Sequence, residues 1–569
     1  MTALLRVKAA RRLGACLVLL CALAAWPAWA QPGDAPMAPQ DPAYKGLFTA
    51  PQPQGELKLE LHVDPRATNQ VMVVGFGVPF PPGYVRDPGL IYLKDSGGKE
   101  MPLAVKVLAA WPHPVPGSGS LRAVLIQFQD YIATTMPRTY TLGWGRARQE
   151  SERHGWSARQ GWLPYKGPEY PPGQVMEPPV YVTLPKEWLE RCLLKGPMLP
   201  AGHRLALGFY DHALKTAFAT AVNDLDPRVA PKYRINAAGE AEPWLYDRAM
   251  SFFVTYLRQG GLEPLVQGHR ATQYYASKIQ PDGRFALLEQ SREADPKYGY
   301  QECLLTDYWL TGDEHLLEAS RRVLRLLDAW DPHYTAQRSF WTERHLGLTL
   351  LNATAAYEFT ENPKLLERAR ELLEAALRMQ ADPPAGAPDD GCMVHTARQH
   401  GEHEEGWICS VWMSSLVVDA MLRYYVVTAD PRVPAFIERL ADFVVKTGTY
   451  RLRPHANEPN DLTFPYYLVS SQTRAHTPTD PWSDRQHALD TALILAAADY
   501  FSQSAGRSRP EYRRLLKELL ATARWNFDKH YRPDAPAKEG SPAFPLDPPR
   551  KFGWWFRSTA SLDWFMSRP

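Results

Sequence analysis

The sequence predicts a multidomain α and β protein, in which a small N-terminal all-β domain precedes a large (α/α) toroid of helical hairpins. From Glu56 to about Trp144, apolar and polar residues alternate, which is the period of half-buried strands. From about Leu205 to the C-terminus, apolar residues recur at the spacing of amphipathic helices. The helical segments come in pairs that repeat every 45–80 residues or so, which is typical of stacked hairpins.

The change of period gives an expected division of the chain. An open solenoid fits the helical repeats too, but about five or six hairpins are enough to close a ring, so the closed toroid is favoured. We expect a signal peptide over 1–30, a linker over 31–54, a β-sandwich or barrel module over 55–145, an irregular wrapping segment over 146–204, and the toroid over 205–569.

Within the β module, strands are expected over 57–61, 71–74 and 123–128. Glycine- and proline-rich turns at 81–83, 96–98 and 116–119 separate them. In the helical part, the segments 310–313, 359–363 and 427–431 each predict a tight turn between two amphipathic helices.

The first 30 residues have the pattern of a secretory signal. Basic residues precede an apolar run over 13–25, and Ala28-Trp29-Ala30 forms an A-x-A cleavage site. A membrane anchor is the alternative, but the run is short for a span of about 20 residues. We therefore expect a periplasmic or secreted protein with no membrane span in the mature chain.

The charge balance argues against nucleic acid as a partner. The 569 residues include 64 basic and 62 acidic side chains, a formal charge of +2. Such a chain has no strong field to attract a polyanion from a distance.

Four cysteines follow the signal segment: Cys192, Cys303, Cys392 and Cys409. They allow three full disulfide pairings, among which sequence cannot choose, and four buried thiols fit equally well. A bond between Cys392 and Cys409 would close a short loop.

The predicted inner helices begin with unusually polar residues. Acidic residues suit a helix N-terminus, but arginine and histidine do not. Because the inner helices of a toroid all start at one rim, these side chains are expected to meet in one cleft. The segments are 246–248, 300–302, 343–345, 403–407 and 484–487.

The segment 389–405 is the densest polar cluster, with His395, His400 and His403 in nine residues. Closely spaced imidazoles could bind a structural or catalytic divalent metal, although the spacing matches no specific motif. Acid/base chemistry or substrate contact is the second interpretation. The third is a polar loop whose histidines bond to backbone.

Aromatic residues are abundant, with 18 Trp and 27 Tyr. Most are expected to fill the core between helices. Trp341, Tyr466, Tyr467 and Trp482 lie in connecting segments at helix starts and are better candidates for sugar-stacking platforms. The sequence contains no P-loop, dinucleotide fingerprint, H-E-x-x-H or G-x-S-x-G motif.

The β module resembles the N-terminal β-barrel module of the exo-rhamnogalacturonan-lyase-like polysaccharide lyases. The resemblance rests on GVPFPPG at 77–83, LKDSGGKEMP at 93–102, AWP at 110–112 and LRAVLIQF at 121–128. In that family the module precedes an (α/α)-toroid catalytic domain, and the helical part here is similar at 244–248 and 406–407. The resemblance implies β-elimination on a uronic-acid polysaccharide or oligosaccharide.

Elimination requires a cation on the uronate carboxylate and a base near its α proton. The hypothesis is that His403 or His400 is the base, Tyr246 the acid and Arg344 the carboxylate ligand. The expected substrate-binding residues are Arg248, Glu302, His345, Glu404, Trp407, Tyr466, Trp482, Arg485 and His487.

Two other function classes stay open. A glycoside hydrolase on a toroid needs two carboxyl groups. Its candidates are Asp247, Glu302, Glu343, Glu404, Glu405 and Asp484. A non-catalytic polysaccharide-binding or assembly protein would bind glycan without making new chain ends.

Overall fold

The computed structural model describes residues 41–149, 159–167, 169–170, 173–203, 207–222, 241–286, 295–328, 342–400, 406–456, 458, 460–470, 479–530, 546 and 548–568, with the backbone alone at 399, 400 and 470. Its strands are β1 (Gly55–Val63), β2 (Gln70–Pro79), β3 (Ile91–Lys94), β4 (Glu100–Met101), β5 (Ala104–Ala110), β6 (Leu121–Ile132), β7 (Arg138–Trp144), β8 (Leu163–Pro164), β9 (Met176–Glu177), β10 (Val180–Thr183), β11 (His395–Thr396), β12 (Trp407–Cys409), β13 (Thr449–Leu452), β14 (Leu462–Pro465) and β15 (Val469–Ser470).

Helices occupy most of the rest. They are α1 (Pro42–Gly46), α2 (Lys186–Arg191), α3 (Gly208–Ala221), α4 (Arg248–Gln259), α5 (Leu262–Lys278), α6 (Glu302–Thr311), α7 (His315–Asp328), α8 (Glu343–Thr360), α9 (Pro363–Ala381), α10 (Ala397–His400), α11 (Val411–Thr428), α12 (Arg432–Lys446), α13 (Pro481–Asp484), α14 (Ala488–Ser504), α15 (Pro510–His530) and α16 (Leu562–Ser567). A π-helical turn covers Gly553–Arg557.

The long helices form a closed double ring. The inner ring runs from α4 through α6, α8, α11 and α14 to the π-helical turn, which packs against α4 again. Helices α5, α7, α9 and α15 each pack outside the inner helix that precedes them, and α3 packs between α15 and α4. The inner helices are buried along nearly their whole length, whereas α7, α9 and α15 bury a single face; α5 is also covered by β9 and β10. This arrangement agrees with the predicted (α/α) toroid.

Local sequence sets where the inner helices begin and end. Asp247 caps α4 by accepting a hydrogen bond from Met250 N at 2.9 Å, and Ser410 caps α11. Gly312 follows α6 in the left-handed conformation that ends a helix without steric cost. The predicted helix starts at 246–248, 300–302, 343–345 and 484–487 all lie at the first turns of inner helices or immediately before them.

Two antiparallel sheets make up the N-terminal region. One has the strand order β10-β1-β7-β3-β4, and the other has the order β2-β6-β5. In β1, Leu57, Leu59 and Leu61 are buried while Lys58 and Glu60 are exposed, as the alternating pattern predicts. Strand β10 comes from the segment expected to be irregular, so the sheet extends beyond residue 145.

These sheets pack on the ring instead of standing apart from it. Strand β2 contacts α6 so closely that a Cβ on Gly77 would lie within 2.1 Å of the Trp309 carbonyl oxygen. Trp309 is near the C-terminal end of α6. The sheets therefore cover the end of the ring at which the inner helices finish.

The segment expected to be a linker also contributes to the core. Helix α1 lies within it, and Tyr44 is fully buried. The Tyr44 hydroxyl donates to the Val426 carbonyl at 2.9 Å, and its ring packs edge-to-face on Tyr425. This segment is thereby attached to α11 of the inner ring.

A network of buried charges fills the interior of the ring. Glu302 bonds to Arg423 and Arg557, each at 2.8 Å, and lies 3.3 Å from Lys195. Burial alone would raise the pKa of Glu302, but the three cations lower it to about 2. The network also contains Asp419, Glu358 and Arg122.

Arg122 connects this network to the sheets. It comes from β6, is sandwiched between the Trp111 and Trp309 rings at 4.1 and 4.2 Å, and pairs with Glu358 near the end of α8. The sheet and the ring thus share one set of buried charges.

A disulfide joins Cys392 to Cys409, which is the short-loop pairing. Cys192 and Cys303 are buried thiols. Of the helices that the structure describes, none is both long and apolar enough to cross a membrane.

Replacing Glu302 with Gln should destabilise the protein by about 3–5 kcal/mol, because three buried cations lose a shared carboxylate. Urea unfolding measures the loss. The matched control is Glu318→Gln, which removes the exposed ion pairs to Arg321 and Arg322 and should leave the midpoint unchanged. Equal effects in the two variants would contradict the role of the network.

Candidate functional site

A cavity of about 260 Å³ opens at the end of the ring where the inner helices begin. Side chains from the starts of α4, α8, α11 and α14 meet there with residues that precede and form the π-helical turn. The lining residues are Tyr246, Arg344, Trp412, Tyr467, Trp482, Ser483, Gln486, His487, Pro548, Arg550 and Trp554.

Tyr246 and Arg344 are in contact in this cavity. Tyr246 lies two residues before α4, and Arg344 is in the first turn of α8. An Arg344 Nη1 group donates to Tyr246 Oη at 3.4 Å. A phenol that can give or accept a proton is thereby held beside a permanent cation.

The backbone at Tyr246 is strained. Tyr246 and Asp247 have φ values of 67° and 60°, in the left-handed region that costs a non-glycine residue about 1–3 kcal/mol. Hydrogen bonds hold both residues there: Tyr300 Oη accepts from Tyr246 N at 3.0 Å, and Asp247 accepts from Met250 N and Cys303 N. Strain maintained in this way is typical of functional sites.

Aromatic rings form the walls. The His487 imidazole stacks on Trp412 with ring centroids 4.4 Å apart and an interplanar angle of 17°. Trp554 lies 5.2 Å and Tyr467 5.5 Å from the same imidazole. Tyr246 meets Trp412 and Trp554 edge-on. The cavity therefore has rigid, largely apolar walls with a few polar groups.

His487 is paired with a buried carboxyl. Its Nδ1 lies 2.9 Å from Asp490 Oδ2, one helical turn into α14. Burial, together with the charges of Lys551 and Arg550, lowers the pKa of His487 well below its usual range. Burial also raises the pKa of Asp490. Both shifts favour the uncharged forms, and the contact with Asp490 fixes the orientation of the imidazole ring.

Two guanidinium groups give the cavity positive charge. Arg550 pairs with Glu242 at 3.2 Å and lies over the Trp554 ring. Burial raises the pKa of Tyr467, and the charges of Arg344 and Arg550 act in the opposite direction. The described lining contains these two cations and no carboxylate, so the cavity favours an anionic ligand.

Carboxyl groups just outside the cavity hold its walls. Burial raises the pKa of Glu343 to about 8, and Glu343 Oε1 accepts a hydrogen bond from Ser410 N at 2.7 Å. Asp484, whose pKa burial raises to about 6, accepts from Tyr467 N at 2.7 Å and from Tyr450 Oη at 2.6 Å. Both act on the backbone of lining segments and not on the cavity itself.

Of the residues predicted from sequence, Tyr246, Arg344, Trp482 and His487 line the cavity, as does Tyr467, one of the predicted aromatic platforms. Arg485 lies just behind it, with its guanidinium 3.6 Å from the centre of the Trp482 ring.

Tyr466 and Trp407 are not among the lining residues. Tyr466 packs on Tyr450 with ring centroids 4.6 Å apart. Trp407 is half-buried in β12, which pairs with β15 just beyond Tyr467.

Three other predicted residues point into the protein interior. Arg248 donates to the Ala221 carbonyl, and Glu302 belongs to the buried charge network. His345 bonds to Thr342 Oγ1 at 2.8 Å and lies 3.4 Å from Asp295. Their positions at helix starts are as predicted, but their side chains serve packing.

The histidine segment is described in part. His403, Glu404 and Glu405 lie outside the described residues, as do Trp341 and the side chain of His400. His395 is fully buried, with Nδ1 3.4 Å from Glu343 Oε2. No group of three or more His, Cys, Asp or Glu side chains suited to a metal is found within the described part of the chain.

Some lining residues were missed by sequence reasoning. Trp412 and Trp554 are among the aromatic residues expected only to fill the core, because a buried tryptophan at helical spacing has no distinguishing signal. Arg550 follows Pro548 and Pro549 and precedes the last turn of the inner ring, where the sequence shows no regular helix start. A search for cations beside the final aromatic cluster would have found it.

Comparisons with known proteins give distant similarities. No protein-family model matches the chain, and no curated protein matches it. The resemblance of the β module to exo-rhamnogalacturonan-lyase-like proteins therefore stays a prediction.

Several solved structures are similar. An unsaturated glucuronyl hydrolase specific for heparin is 13% identical, with 63% of this chain and 98% of that chain covered and a TM-score of 0.42. A polysaccharide lyase is 14% identical, with coverage of 64% and 99% and a TM-score of 0.41. The α-1,6-mannanase GH76A of Salegentibacter sp. HEL1_6 is 10% identical, with coverage of 62% and 98% and a TM-score of 0.38. The assignment of a toroid rests on the helix contacts described above.

Glu343 should make stability pH-dependent. Its pKa is raised in the folded state, so its contribution is fully present below about pH 4.5 and is lost as the pH rises towards 8. Relative to Glu343→Gln, the unfolding free energy of the native protein should fall across this range, by about 1.4 kcal/mol per unit of pKa difference. Urea unfolding at several pH values measures it.

The control is Glu367→Gln, at an exposed position on α9. Its unfolding free energy should depend on pH in the same way as that of the native protein. If the unfolding free energies of the native protein and Glu343→Gln also change in parallel between about pH 4.5 and 8, Glu343 does not titrate in that pH range.

Proposed function

We propose that this protein is a periplasmic or secreted polysaccharide lyase that cleaves a uronic-acid-containing glycan by β-elimination. The observation that carries the proposal is the contact between the Tyr246 hydroxyl and the Arg344 guanidinium in a cationic cavity with aromatic walls. Phenol, imidazole and guanidinium are the groups that this reaction needs, and the closed ring places them together.

The proposed reaction is a β-elimination. A base removes the proton on the carbon next to the uronate carboxylate, and the electron pair forms a double bond to the neighbouring carbon. The bond from that carbon to the glycosidic oxygen breaks, and an acid protonates the departing oxygen. The products are a new chain end and an unsaturated uronate.

Removing that proton adds negative charge to a group that is already anionic, so the carboxylate must be neutralised. Arg344 and Arg550 line the cavity and are suited to a carboxylate, because a guanidinium can donate two parallel hydrogen bonds. In the proposed site they bind the uronate and stabilise the developing charge.

Tyr246 is the proposed acid that protonates the leaving oxygen. Its hydroxyl is fixed by Arg344, and its strained backbone aims it into the cavity. The proposed base is an imidazole. His403 and His400 are the candidates from sequence, and His487 is the imidazole of the described lining, oriented by its contact with Asp490.

Glycoside hydrolysis has weaker support. It requires two carboxyl groups that flank the scissile bond. The described candidates all have structural partners: Asp247 caps α4, Glu302 lies in the ion network, Glu343 accepts from Ser410 N, and Asp484 accepts from Tyr467 N. The other two candidates, Glu404 and Glu405, lie outside the described residues.

The proposal predicts that the purified protein releases unsaturated products from a member of a panel of uronic-acid polysaccharides, detected by ultraviolet absorbance and mass spectrometry. Tyr246→Phe should lower kcat by about 10²–10⁴-fold, since it removes the proton donor and keeps the ring. Arg344→Gln should raise KM and lower kcat. Tyr131→Phe, at an exposed tyrosine on β6, is the matched control and should retain activity.

Turnover is compared in His403→Ala, His400→Ala and His487→Ala to identify the base. The variant that lacks the base should lose turnover. New reducing ends without absorbance would replace the lyase assignment with hydrolysis. Glycan binding without new ends would point to the non-catalytic class.

A further inference from the structure

Trp482 differs from the other tryptophans of the cavity. It is 61% exposed, whereas Trp412 and Trp554 are 2% and 5% exposed. It lies in the short helix α13, at the outer edge of the lining. An exposed indole at the mouth of a cavity offers a ligand a flat apolar face.

The indole is held in a fixed orientation. The Arg485 guanidinium lies 3.6 Å from the ring centre, and Arg485 itself is buried. On the backbone side, Trp482 N donates to Asp480 Oδ1 at 3.2 Å, and Gln486 Nε2 donates to the Trp482 carbonyl at 2.7 Å. With one face covered by Arg485, the ring presents its opposite face to solvent.

Further rings continue away from the cavity. His530 lies 5.8 Å from Trp482, Trp525 lies 5.2 Å from His530, and His455 lies 6.1 Å from Trp525, measured between ring centroids. Trp525 is oriented by a 3.1 Å hydrogen bond from Nε1 to Glu458. We call these four rings the outer aromatic row.

We propose that the outer aromatic row is a second sugar-binding subsite, with Trp482 as its stacking platform, and that the substrate is an extended polysaccharide whose chain continues from the cavity over Trp482. This rests on the proposed function, since it takes the cavity as the site of cleavage. The ligand class is a glycan several sugar units long, and not a mono- or disaccharide.

The chemistry of the row suits such a chain. One face of a pyranose ring carries C–H groups, which pack on an aromatic face and remove apolar area from water on both sides. The rings meet at interplanar angles of 73°, 75° and 48°, so Trp482 provides the stacking face and the other rings line the path of the chain beside it. Arg485 behind Trp482 adds positive charge suited to a uronate chain, whereas Lys529 is paired with Glu458 at 3.5 Å.

The test measures binding separately from catalysis. Affinity electrophoresis is run in gels cast with polygalacturonate, alginate, hyaluronan or heparin, using Trp482→Ala, the conservative Trp482→Phe, and Tyr131→Ala as an exposed aromatic control on β6. Trp482→Ala should weaken retardation by the polymer that binds, with Kd about tenfold higher. Trp482→Phe should recover most of the binding, and Tyr131→Ala should match the native protein. Circular dichroism checks that each variant is folded.

A second measurement uses chain length. For a substrate that is cleaved, the loss of kcat/KM in Trp482→Ala should be at least tenfold greater on the polymer than on the shortest oligosaccharide accepted. Equal losses on both would make Trp482 only a wall of the cavity and would overturn the subsite, as would gel retardation identical to that of Tyr131→Ala. Trp482-dependent polymer binding without unsaturated product would support the subsite and refute the lyase assignment.

Discussion

The parallel direction of the inner helices is the constraint on which the site depends. In a ring that alternates inner and outer helices, every inner helix in the described part of the chain starts at the same end. Residues as distant in sequence as Tyr246, Arg344, His487 and Arg550 therefore line one cavity. The N-terminal ends of the helices also carry positive partial charge, which adds to the two guanidinium groups. The topology, more than any local motif, brings these side chains into one cavity.

The opposite end of the ring is closed by different means. There the sheets cover the helix ends, and Arg122 passes from β6 to Glu358 between two indole rings. Buried ion pairs of this kind add little net stability compared with apolar packing, but they are very sensitive to the loss of one partner. Loss of either partner would therefore leave an uncompensated charge where the sheet packs on the ring. One end of the ring is thus closed by charge pairing, and the other is left open as a cavity with two arginines in its lining.

Sequence periodicity was sufficient for the architecture, because a period of two or of 3.6 reports directly on which face of an element is buried. The helix starts were also predictable, since Asp247 and the acidic first turns obey capping and dipole rules. The periodicity does not show whether the side chain of a first-turn residue points into the cavity or into the protein interior. Arg344 enters the cavity, whereas Glu302 and His345, at equivalent starts, turn into the interior. Trp412, Trp554 and Arg550 depend on contacts between segments far apart in sequence, which no local pattern contains.

The π-helical turn both closes the ring and completes the cavity. Gly553 packs so closely on α4 that a Cβ there would lie 2.5 Å from the Leu245 carbonyl oxygen and 2.9 Å from that of Tyr246. The same stretch supplies Pro548, Arg550 and Trp554 to the cavity. The same stretch also carries Arg557, which pairs with Glu302 and Asp419 in the buried charge network. The residues that complete the cavity are therefore tied to the residues that hold the ring closed.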